Sequence, residues 1–411
     1  MTQRLPKQSI AFANANDVLS TNADGTLPMH PNSDLFYLSG IEQEETILLL
    51  FPDASNPKHR EILFLRQPNE NLKIWEGRKH NKEKAREISG IQTILWKEDF
   101  DQMIQMLAME AEFLFLNDNE HSRAEKIPGT RERRFNEKIK EAFPLHQINR
   151  LAPHLHDLRF VKNPQEIELI KHAIKVTGEG FIEVMKKIKP GIYEYEIEGE
   201  WARSFISRRC KFAYPPIIAS GQNSCVLHYL QNDQNCKKGD LLLMDVGACY
   251  ANYNADLTRT IPISGKFSRR QKQVYKSVLR VLRKSIANAK IGKTLKEWQS
   301  ESHEMMNKEM LKLKIISSDE IENQNPGNPA CKRYFMHGLG HSLGLDVHDV
   351  SNRQLEFQEN SVFTVEPGIY LPNEGFGIRL EENILLTRNG SINLTANIPI
   401  EPEDIEDLMK T

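Results

Sequence analysis

The sequence predicts a mixed α/β (α+β) chain that folds as two domains. Its length of 411 residues exceeds what one hydrophobic core usually organises. Short apolar runs alternate with charged, helix-prone segments in the first part of the chain, whereas the later part opens with a long amphipathic helix and continues into paired strands. We therefore expect an α/β domain over residues 1–155 and a second domain over residues 156–411.

The first domain is predicted from three strand-like runs, ETILLLF, EILFLR and EFLFLN. Each run is short and apolar, which favours a buried strand. Charged segments such as NKEKAREISG separate them and have the composition of exposed helices. This alternation is typical of a sheet that is covered by helices.

The second domain begins with a helix whose start is well marked. Asn163 provides an N-cap, Pro164 suits the first turn, and Glu166 completes a capping box. Apolar residues then recur at helical spacing until Pro190 and Gly191, where we expect the helix to end. They are Ile167, Ile170, Ile174, Phe181, Met185 and Ile188.

A first pair of carboxylates lies in the segment LLLMDVGACYANYNADLTRT. Leu241–Met244 has the pattern of a buried strand and Asn252–Pro262 that of its return strand. With a turn centred on Tyr250–Ala251, Asp245 would directly oppose Asp256, since both are equidistant from that centre. Opposed residues have Cβ atoms about 4.5–5.5 Å apart, so two like charges repel there unless a cation lies between them.

A second pair lies in SVFTVEPGIYLPNEGFGIRLEENILL, which has the pattern of strand, turn and strand about Pro372–Gly375. Glu366 and Glu381 are equidistant from the centre of that turn. An unpaired buried carboxylate costs several kcal/mol or must take up a proton. Two such pairs inside apolar strands therefore predict a metal site, and the alternative is that one or both pairs lie on an exposed sheet face.

The ligand types narrow the choice of metal. Together with His341, the four carboxylates form an oxygen-rich set that suits Mn²⁺, Co²⁺, Fe²⁺ or Zn²⁺ in a paired site better than a structural zinc site rich in cysteine. Two metals about 3.5–4 Å apart can bridge a water, lower its pKa and deliver hydroxide to a carbonyl. The predicted reaction class is metal-assisted hydrolysis.

Two other motif interpretations of this region are weaker. The spacing of His337 and His341 matches a helical zinc pair, but HGLGH lacks the glutamate of HExxH and contains two glycines that disfavour a helix. The glycines of the same segment do not precede the Lys-Ser/Thr of a phosphate loop, nor do they lie between a strand and a helix of the dinucleotide type.

Composition excludes several classes of protein. Charged residues make up 27% of the chain and the formal net charge is −2, so there is no basic field that would attract nucleic acid. No apolar stretch approaches the length of a membrane span, and the N-terminus shows no signal-peptide pattern. Five cysteines without a CxxC motif predict reduced thiols and a cytoplasmic protein.

The chain resembles the pita-bread metallopeptidases, in particular the aminopeptidase P (Xaa-Pro aminopeptidase) family, with the prolidases as near relatives. The motifs that carry the resemblance occur in the family's order along nearly the whole chain. They are GQNSCVLHYLQND, LLLMDVGACYANYNADLTRTIPISGKFS, FMHGLGHSLGLDVHDV, FTVEPGIYL and GIRLEENILL. The resemblance implies a creatinase-like α/β N-terminal domain followed by a pita-bread catalytic domain.

The resemblance also implies a metal-binding role for five residues. Asp245 would chelate one metal, and Asp256 and Glu381 would bridge both. His341 and Glu366 would complete the second site. Glu366 would in addition act as general base on the bridging water.

Further residues would surround the substrate. His228 and His348 would lie around the scissile bond, where an imidazole can donate to the developing oxyanion. His337 would be a neighbour in the pocket, and Tyr370 is a candidate for its wall. Arg379 would hold a bridging carboxylate from the same strand face. Each of these also has a purely structural interpretation, as a hydrogen-bonded histidine or a packed strand aromatic.

The N-terminal domain would serve substrate access and oligomerisation. In the aminopeptidase P family a tryptophan-bearing segment of this domain can reach the active site of a neighbouring subunit, and Trp75 in KIWEGRKHNKEKA is the candidate for this role. The residue that follows is Glu76, where bacterial relatives often have an aromatic residue, and an ordinary buried tryptophan is the alternative. A homodimer or homotetramer is expected on the same resemblance.

The expected substrates are peptides with proline in second position, from which the N-terminal residue is released. The segment after His228 is Tyr-Leu-Gln-Asn, which is closer to aminopeptidase P than to the His-Tyr-Gly-His form of prolidases. Prolidase activity on Xaa-Pro dipeptides, with the same metal centre, is the first alternative. A non-catalytic pita-bread binding module is a second one, disfavoured because such modules typically lose the metal ligands.

Overall fold

The structure is a computed structural model that describes residues 1–121, 124, 129–325, 327–352 and 356–410, without the side chains of Asn71 and Leu72. The chain divides into two compact units, Met1–Arg159 and Phe160–Thr411. None of the described helices combines the length and the apolar character that crossing a membrane requires.

The first unit is built on a six-stranded mixed sheet with the order β4-β3-β2-β1-β5-β6. Its strands are β1 Ser9–Asn14, β2 Ile47–Leu50, β3 Glu61–Leu65, β4 Thr93–Trp96, β5 Phe113–Leu116 and β6 Gln147–Arg150. Its helices are α1 Ser33–Ser39, α2 Glu70–Trp75, α3 Lys82–Ser89, α4 Phe100–Ala108 and α5 Arg131–Ala142, and α6 Ala152–Phe160 lies at its end. The three predicted strands and the predicted helix are confirmed as β2, β3, β5 and α3. Strands β1, β4 and β6 were not predicted.

Both faces of the central strands of this sheet are buried. Ala11 and Ala13 of β1 pack in one apolar cluster, whereas Ile10 and Phe12 pack in another. Successive side chains of a strand point to opposite faces, so the continuous apolar run of β1 fills both clusters. Because both faces are covered, the central strands need no alternation of polar and apolar residues. Strand β1 was not recognised because its sequence, SIAFAN, has only two large apolar residues among Ser, Ala and Asn.

The second unit contains helix pairs and small antiparallel sheets. The helices are α7 Pro164–Met185, α8 Glu194–Ser207, α9 Arg269–Asn288, α10 Leu295–Lys312, α11 Ser318–Glu322 and α12 Pro402–Leu408. The strands are β7 Lys211–Phe212, β8 Ile217–Ser220, β9 Leu241–Asp245, β10 Ala248–Tyr250, β11 Tyr253–Asn254, β12 Thr258–Pro262, β13 Val362–Val365, β14 Gly368–Leu371, β15 Phe376–Arg379, β16 Glu382–Thr387 and β17 Gly390–Asn393. Helix α7 packs on α8, and α9 packs on α10.

The predicted start of α7 is confirmed. The Asn163 side chain accepts hydrogen bonds from the backbone N–H groups of Gln165 and Glu166, and the Asn163 N–H donates to the Glu166 carboxylate. The helix ends at Met185, earlier than predicted, and Ile188 lies beyond its end. The last turn tightens there, because the Lys187 N–H bonds to Val184 O with 3₁₀ spacing.

The register predicted for the first carboxylate hairpin is wrong. Strands β9 and β12 pair Asp245 with Thr258, which leaves Asp256 as a diagonal neighbour of Asp245. The turn is centred on Ala251 and Asn252, both of which have positive φ, as a two-residue type I′ turn requires. The prediction placed the turn by the symmetry of the aspartates, whereas turn chemistry decides the register.

The register predicted for the second hairpin is confirmed. Strands β14 and β15 pair Gly368 with Arg379, and β13 and β16 continue the same register by pairing Val365 with Glu382. Gly375 closes the turn with φ 77°, a conformation that glycine adopts without strain. Glu366 and Glu381 therefore lie opposite each other in the register, between the strand pair β13–β16 and the strand pair β14–β15.

Candidate metal centre

The ends of the two hairpins meet in the second unit. The Glu381 backbone N–H donates to Thr258 O at 3.1 Å, which places the second hairpin beside β12 of the first. Ligand atoms of Asp256, His341 and Glu381 all lie within 4.8 Å of one another. Three predicted ligands from segments far apart in the chain therefore form one cluster.

Asp245 joins this cluster through a tyrosine that the sequence analysis missed. The Tyr214 hydroxyl lies 2.6 Å from Asp245 Oδ1 and 2.5 Å from Asp256 Oδ1. Burial and the neighbouring carboxylates raise the pKa of Tyr214 well above its usual value, so the hydroxyl keeps its proton and acts as a donor. No signal marks Tyr214 in the sequence, because the bonds span 31 and 42 residues of the chain.

His341 is oriented by its neighbours. Its Nδ1 lies 3.0 Å from Ser342 O and therefore donates, which leaves Nε2 facing Asp256 Oδ2 at 3.4 Å and Glu366 Oε1 at 3.5 Å. Burial alone would lower the pKa of His341, but the hydrogen bond with Asp256 and the charge of Glu366 raise it. Residues 337–341 are not helical, which confirms the rejection of the HExxH interpretation.

Close backbone packing holds His341 against β13. The Thr364 N–H donates to His341 O at 2.9 Å, and the His341 N–H donates to the Thr364 hydroxyl at 3.0 Å. A Cβ at Gly340 would lie 2.0 Å from Thr364 O, so only glycine permits this approach. Gly340, one of the two glycines that disfavour a helix in HGLGH, thus allows the close backbone approach that positions His341.

The carboxylates of the cluster carry more negative charge than their protein partners balance. Burial raises the pKa of Glu366 to about 7 and that of Glu381 well above its usual value, and the other carboxylates add to both shifts. Burial also raises the pKa of Asp245. Glu381 Oε1 is buried and has no hydrogen-bond partner among the residues that the structure describes, while Oε2 accepts from the Thr258 hydroxyl at 2.8 Å. An unpartnered acceptor among mutually repelling carboxylates fits a bound cation, which would satisfy both.

Arg379 is a cation beside the cluster, although its direct partner differs from the expected one. Its Nη2 lies 2.5 Å from Asp245 Oδ2, whereas a bridging carboxylate was expected. Its Nε donates to the Thr258 hydroxyl at 3.1 Å, which in turn donates to Glu381. Arg379 therefore supports Glu381 through Thr258 and binds Asp245 directly.

Arg379 also begins a chain of hydrogen bonds to a histidine. Its Nη1 lies 3.0 Å from the Tyr370 hydroxyl, and that hydroxyl lies 2.7 Å from His337 Nε2. Burial raises the pKa of Tyr370 to about 12, so the hydroxyl remains protonated and donates to the imidazole. The opposite ring nitrogen, His337 Nδ1, lies 3.7 Å from Glu366 Oε2. Tyr370 is thus a buried hydrogen-bonding residue and His337 is adjacent to the cluster.

The two other predicted histidines differ in position. The His348 ring packs edge-on against His341 with centroids 4.1 Å apart. His228 is exposed, on the segment that connects β8 to β9. In the part of the chain that the structure describes, no hydrogen bond joins His228 to the five ligand residues.

Trp75 lies at the end of α2 in the first unit and is 84% exposed. The alternative of an ordinary buried tryptophan is therefore wrong. Ile74 beside it is 75% exposed.

The arrangement defines a class of protein. Four carboxylates and one imidazole converge, with a tyrosine, an arginine and a threonine holding them in place, and further histidines are adjacent. This donor set suits hard or borderline divalent ions that activate water. The second unit therefore has the site of a metal-dependent hydrolase.

Comparison with known proteins agrees with this class. Residues 168–388 match metallopeptidase family M24, and residues 1–115 match the aminopeptidase P N-terminal domain. The chain belongs to metallopeptidase family M24, and its catalytic unit has the pita-bread fold.

Individual relatives align over nearly all of the chain. A Xaa-Pro aminopeptidase of Escherichia coli is 32% identical over 426 residues, which cover 100% of this chain and 95% of the relative. Human Xaa-Pro aminopeptidase 3 is 29% identical over 92% of this chain and 76% of its own length. The structure of zinc-substituted E. coli aminopeptidase P in complex with product has a TM-score of 0.88 at 31% identity, covering 100% of this chain and 96% of that chain.

Proposed function

We propose that this protein is an aminopeptidase that hydrolyses the Xaa-Pro bond and releases the N-terminal residue from peptides with proline in second position. The observation that carries the proposal is the convergence of Asp256, His341 and Glu381 within 4.8 Å, in a chain that aligns end to end with Xaa-Pro aminopeptidases. The aligned relatives are the evidence for cleavage of the Xaa-Pro bond, and the residue cluster is the evidence for a metal centre that can hydrolyse a peptide.

Two divalent ions would be held by five residues. Asp245 would bind one ion, Asp256 and Glu381 would bridge both, and His341 and Glu366 would bind the other. The oxygen-rich donor set favours Mn²⁺, and Co²⁺, Zn²⁺ and Fe²⁺ are compatible with it. When bound, such ions polarise a carbonyl and lower the pKa of water.

The chain's own residues would carry the proton and orient the peptide. Glu366 would accept a proton from the attacking water at a carboxylate oxygen, as a general base. His228 and His348 would donate to the oxygen of the scissile carbonyl as it gains charge. The hydrogen bond from Tyr370 would hold the His337 imidazole in one tautomer within the pocket.

The N-terminal unit would control substrate access and assembly. A side chain as large as Trp75 that is 84% exposed is suited to contact another surface. We propose that the protein forms a homodimer or homotetramer in which Trp75 contacts a neighbouring subunit. The five cysteines, all of which lie in the described part of the chain, form no disulfide, which supports a cytoplasmic location.

The experiment is a comparison of Xaa-Pro-Yaa tripeptides and Xaa-Pro dipeptides as substrates of the Mn²⁺-loaded protein, with a chelator control. Preference for tripeptides, lost with the chelator, is the expected result. Turnover of dipeptides alone would make the protein a prolidase. Inactivity on both with metal bound would favour a binding module instead.

A further inference from the structure

We infer that Glu194, at the start of α8, is a positioning residue that holds His228 in place through Tyr229. The inference rests on the proposed role of His228 in the reaction. It concerns residues 221–235, which we term the His228 loop; the loop runs from the end of β8 towards β9.

Glu194 is completely buried, and one of its oxygens holds the start of the loop. Oε1 accepts hydrogen bonds from the Ser220 N–H at 2.7 Å and the Ser220 hydroxyl at 2.6 Å. It also accepts from Asn223 Nδ2 at 3.4 Å. These bonds attach the end of β8 and the first turn of the loop to the carboxylate.

The other oxygen holds the returning part of the loop. Oε2 accepts from the Tyr229 hydroxyl at 2.8 Å and from the Gln234 N–H at 3.0 Å. Burial and Glu194 raise the pKa of Tyr229, so its hydroxyl remains protonated and donates. One carboxylate therefore joins both ends of the loop and the residue that follows His228.

The donors around Glu194 require a carboxylate. The five donors described above are neutral, and together they bind both oxygens of the Glu194 carboxylate. A glutamine would bring an amide NH₂ to one side of the site, where it would face groups such as the Gln234 N–H that can only donate. A buried donor left without its acceptor is destabilising, so the site is specific for an acceptor-only group.

The geometry explains how an exposed histidine is held in a defined position. Tyr229 is buried and His228 is exposed, so fixing the Tyr229 side chain sets the backbone from which the imidazole projects. The loop is also attached to the second carboxylate hairpin, because the Gly377 N–H donates to the Ser224 hydroxyl at 2.7 Å. A displacement of about 1 Å can cost roughly 100-fold in rate, so a catalytic group on such a loop depends on these anchors.

The test measures kcat and KM on an Xaa-Pro-Yaa tripeptide for metal-loaded E194Q, Y229F and H228A and for the double variants E194Q/H228A and Y229F/H228A. Y229F removes one hydroxyl and keeps the packed ring, so it reports on the anchor even if E194Q folds poorly. E196Q is the matched control: it has the same chemical change in the same helical turn, and Glu196 accepts from the Tyr193 N–H at 2.8 Å, outside the His228 loop. Tm and bound metal are measured for every variant.

We expect Y229F to lower kcat about tenfold with little change in KM, and E194Q to lower it further, because a misplaced donor to the transition state affects kcat. In the H228A background both substitutions should lose most of their effect, since residues that act through one group are not additive. E196Q should retain wild-type kcat and KM.

The possible results separate the inference from the proposed function. If H228A retains wild-type kcat/KM, the proposed catalytic role of His228 is wrong, and the inference about Glu194, which depends on that role, is wrong as well. If H228A is impaired but Y229F lowers kcat equally in both backgrounds, Glu194 and Tyr229 act independently of His228, and the inference alone is overturned. A Y229F variant with wild-type kinetics would overturn it as well.

Discussion

Replacing Tyr214 by phenylalanine should weaken metal binding while the fold is retained. The Tyr214 hydroxyl is the group that connects Asp245 and Asp256, at 2.6 and 2.5 Å, and phenylalanine removes it without removing the ring. A carboxylate oxygen has two lone pairs, so an oxygen that accepts from this hydroxyl can also bind a cation, and the bond keeps that ligand in position.

The magnitude follows from the chemistry of one hydrogen bond. The hydroxyl has a single proton, so it contributes one bond to a charged acceptor, which is worth about 1.5–3 kcal/mol. Since about 1.4 kcal/mol corresponds to a factor of ten, the expected loss of affinity is roughly 10- to 100-fold, the range typical of groups that support a metal ligand.

The assay is calorimetric titration of Mn²⁺ into chelator-stripped protein, with Tm measured in parallel. Y253F is the control, because the buried Tyr253 hydroxyl bonds to Glu166 at 3.0 Å, outside the ligand set. Y253F should bind Mn²⁺ like the wild type. Wild-type affinity in Y214F would refute the view that this hydroxyl organises the cluster.

Other substitutions test separate parts of the molecule. E381A should lose both bound metal and activity, and a fully active variant with two metals in elemental analysis would contradict the ligand assignment. H348A should keep its metal content and lose kcat, whereas an unchanged kcat/KM would reduce His348 to a packing role. Burial raises the pKa of Glu132 to about 8 from an ordinary 4.5, so the folded protein holds a proton that the unfolded chain releases, and stability should fall as pH rises from about 4.5 to 8. The free energy of unfolding should fall by up to roughly 4–5 kcal/mol over this pH range. E132Q should flatten the pH dependence of Tm relative to the wild type. Equal slopes of Tm against pH in the two proteins would disprove the buried-carboxyl account. Lys162 and Asp349 form an ion pair at 3.0 Å, and each side chain is about 1% exposed. K162M should therefore lower the free energy of unfolding in denaturant by about 3–5 kcal/mol, and K162M/D349N should recover part of that loss. Equal stability of K162M and the wild type would show that the pair does not stabilise the fold.

Local patterns were enough to predict several features correctly. The capping box at Asn163 and the turn before Gly375 depend on residues adjacent in the chain, so their chemistry is visible in the sequence. The register of the second hairpin followed from that turn, which placed Glu366 and Glu381 at one level.

Other features depended on residues that the sequence does not connect. The first hairpin was misregistered because Ala251 adopts the left-handed conformation that the turn requires, and no glycine marks that position in the sequence. The expected partner of Arg379 was chosen from proximity in one strand, whereas Asp245 lies on a different strand 134 residues away.

The sequence by itself determined which chemical groups are present: four carboxylates, an imidazole and the apolar strands around them, which together require a cation if buried. It also determined the family through motifs that extend along the chain. Only the tertiary structure decided how these groups are held, through Tyr214, Thr258 and Arg379 around the metal ligands, and which group Glu194 binds, the hydroxyl of the residue after His228. The physical reason is that a hydrogen bond depends on direction and on fractions of an ångström between atoms, and these are set by the packing of segments far apart in the chain.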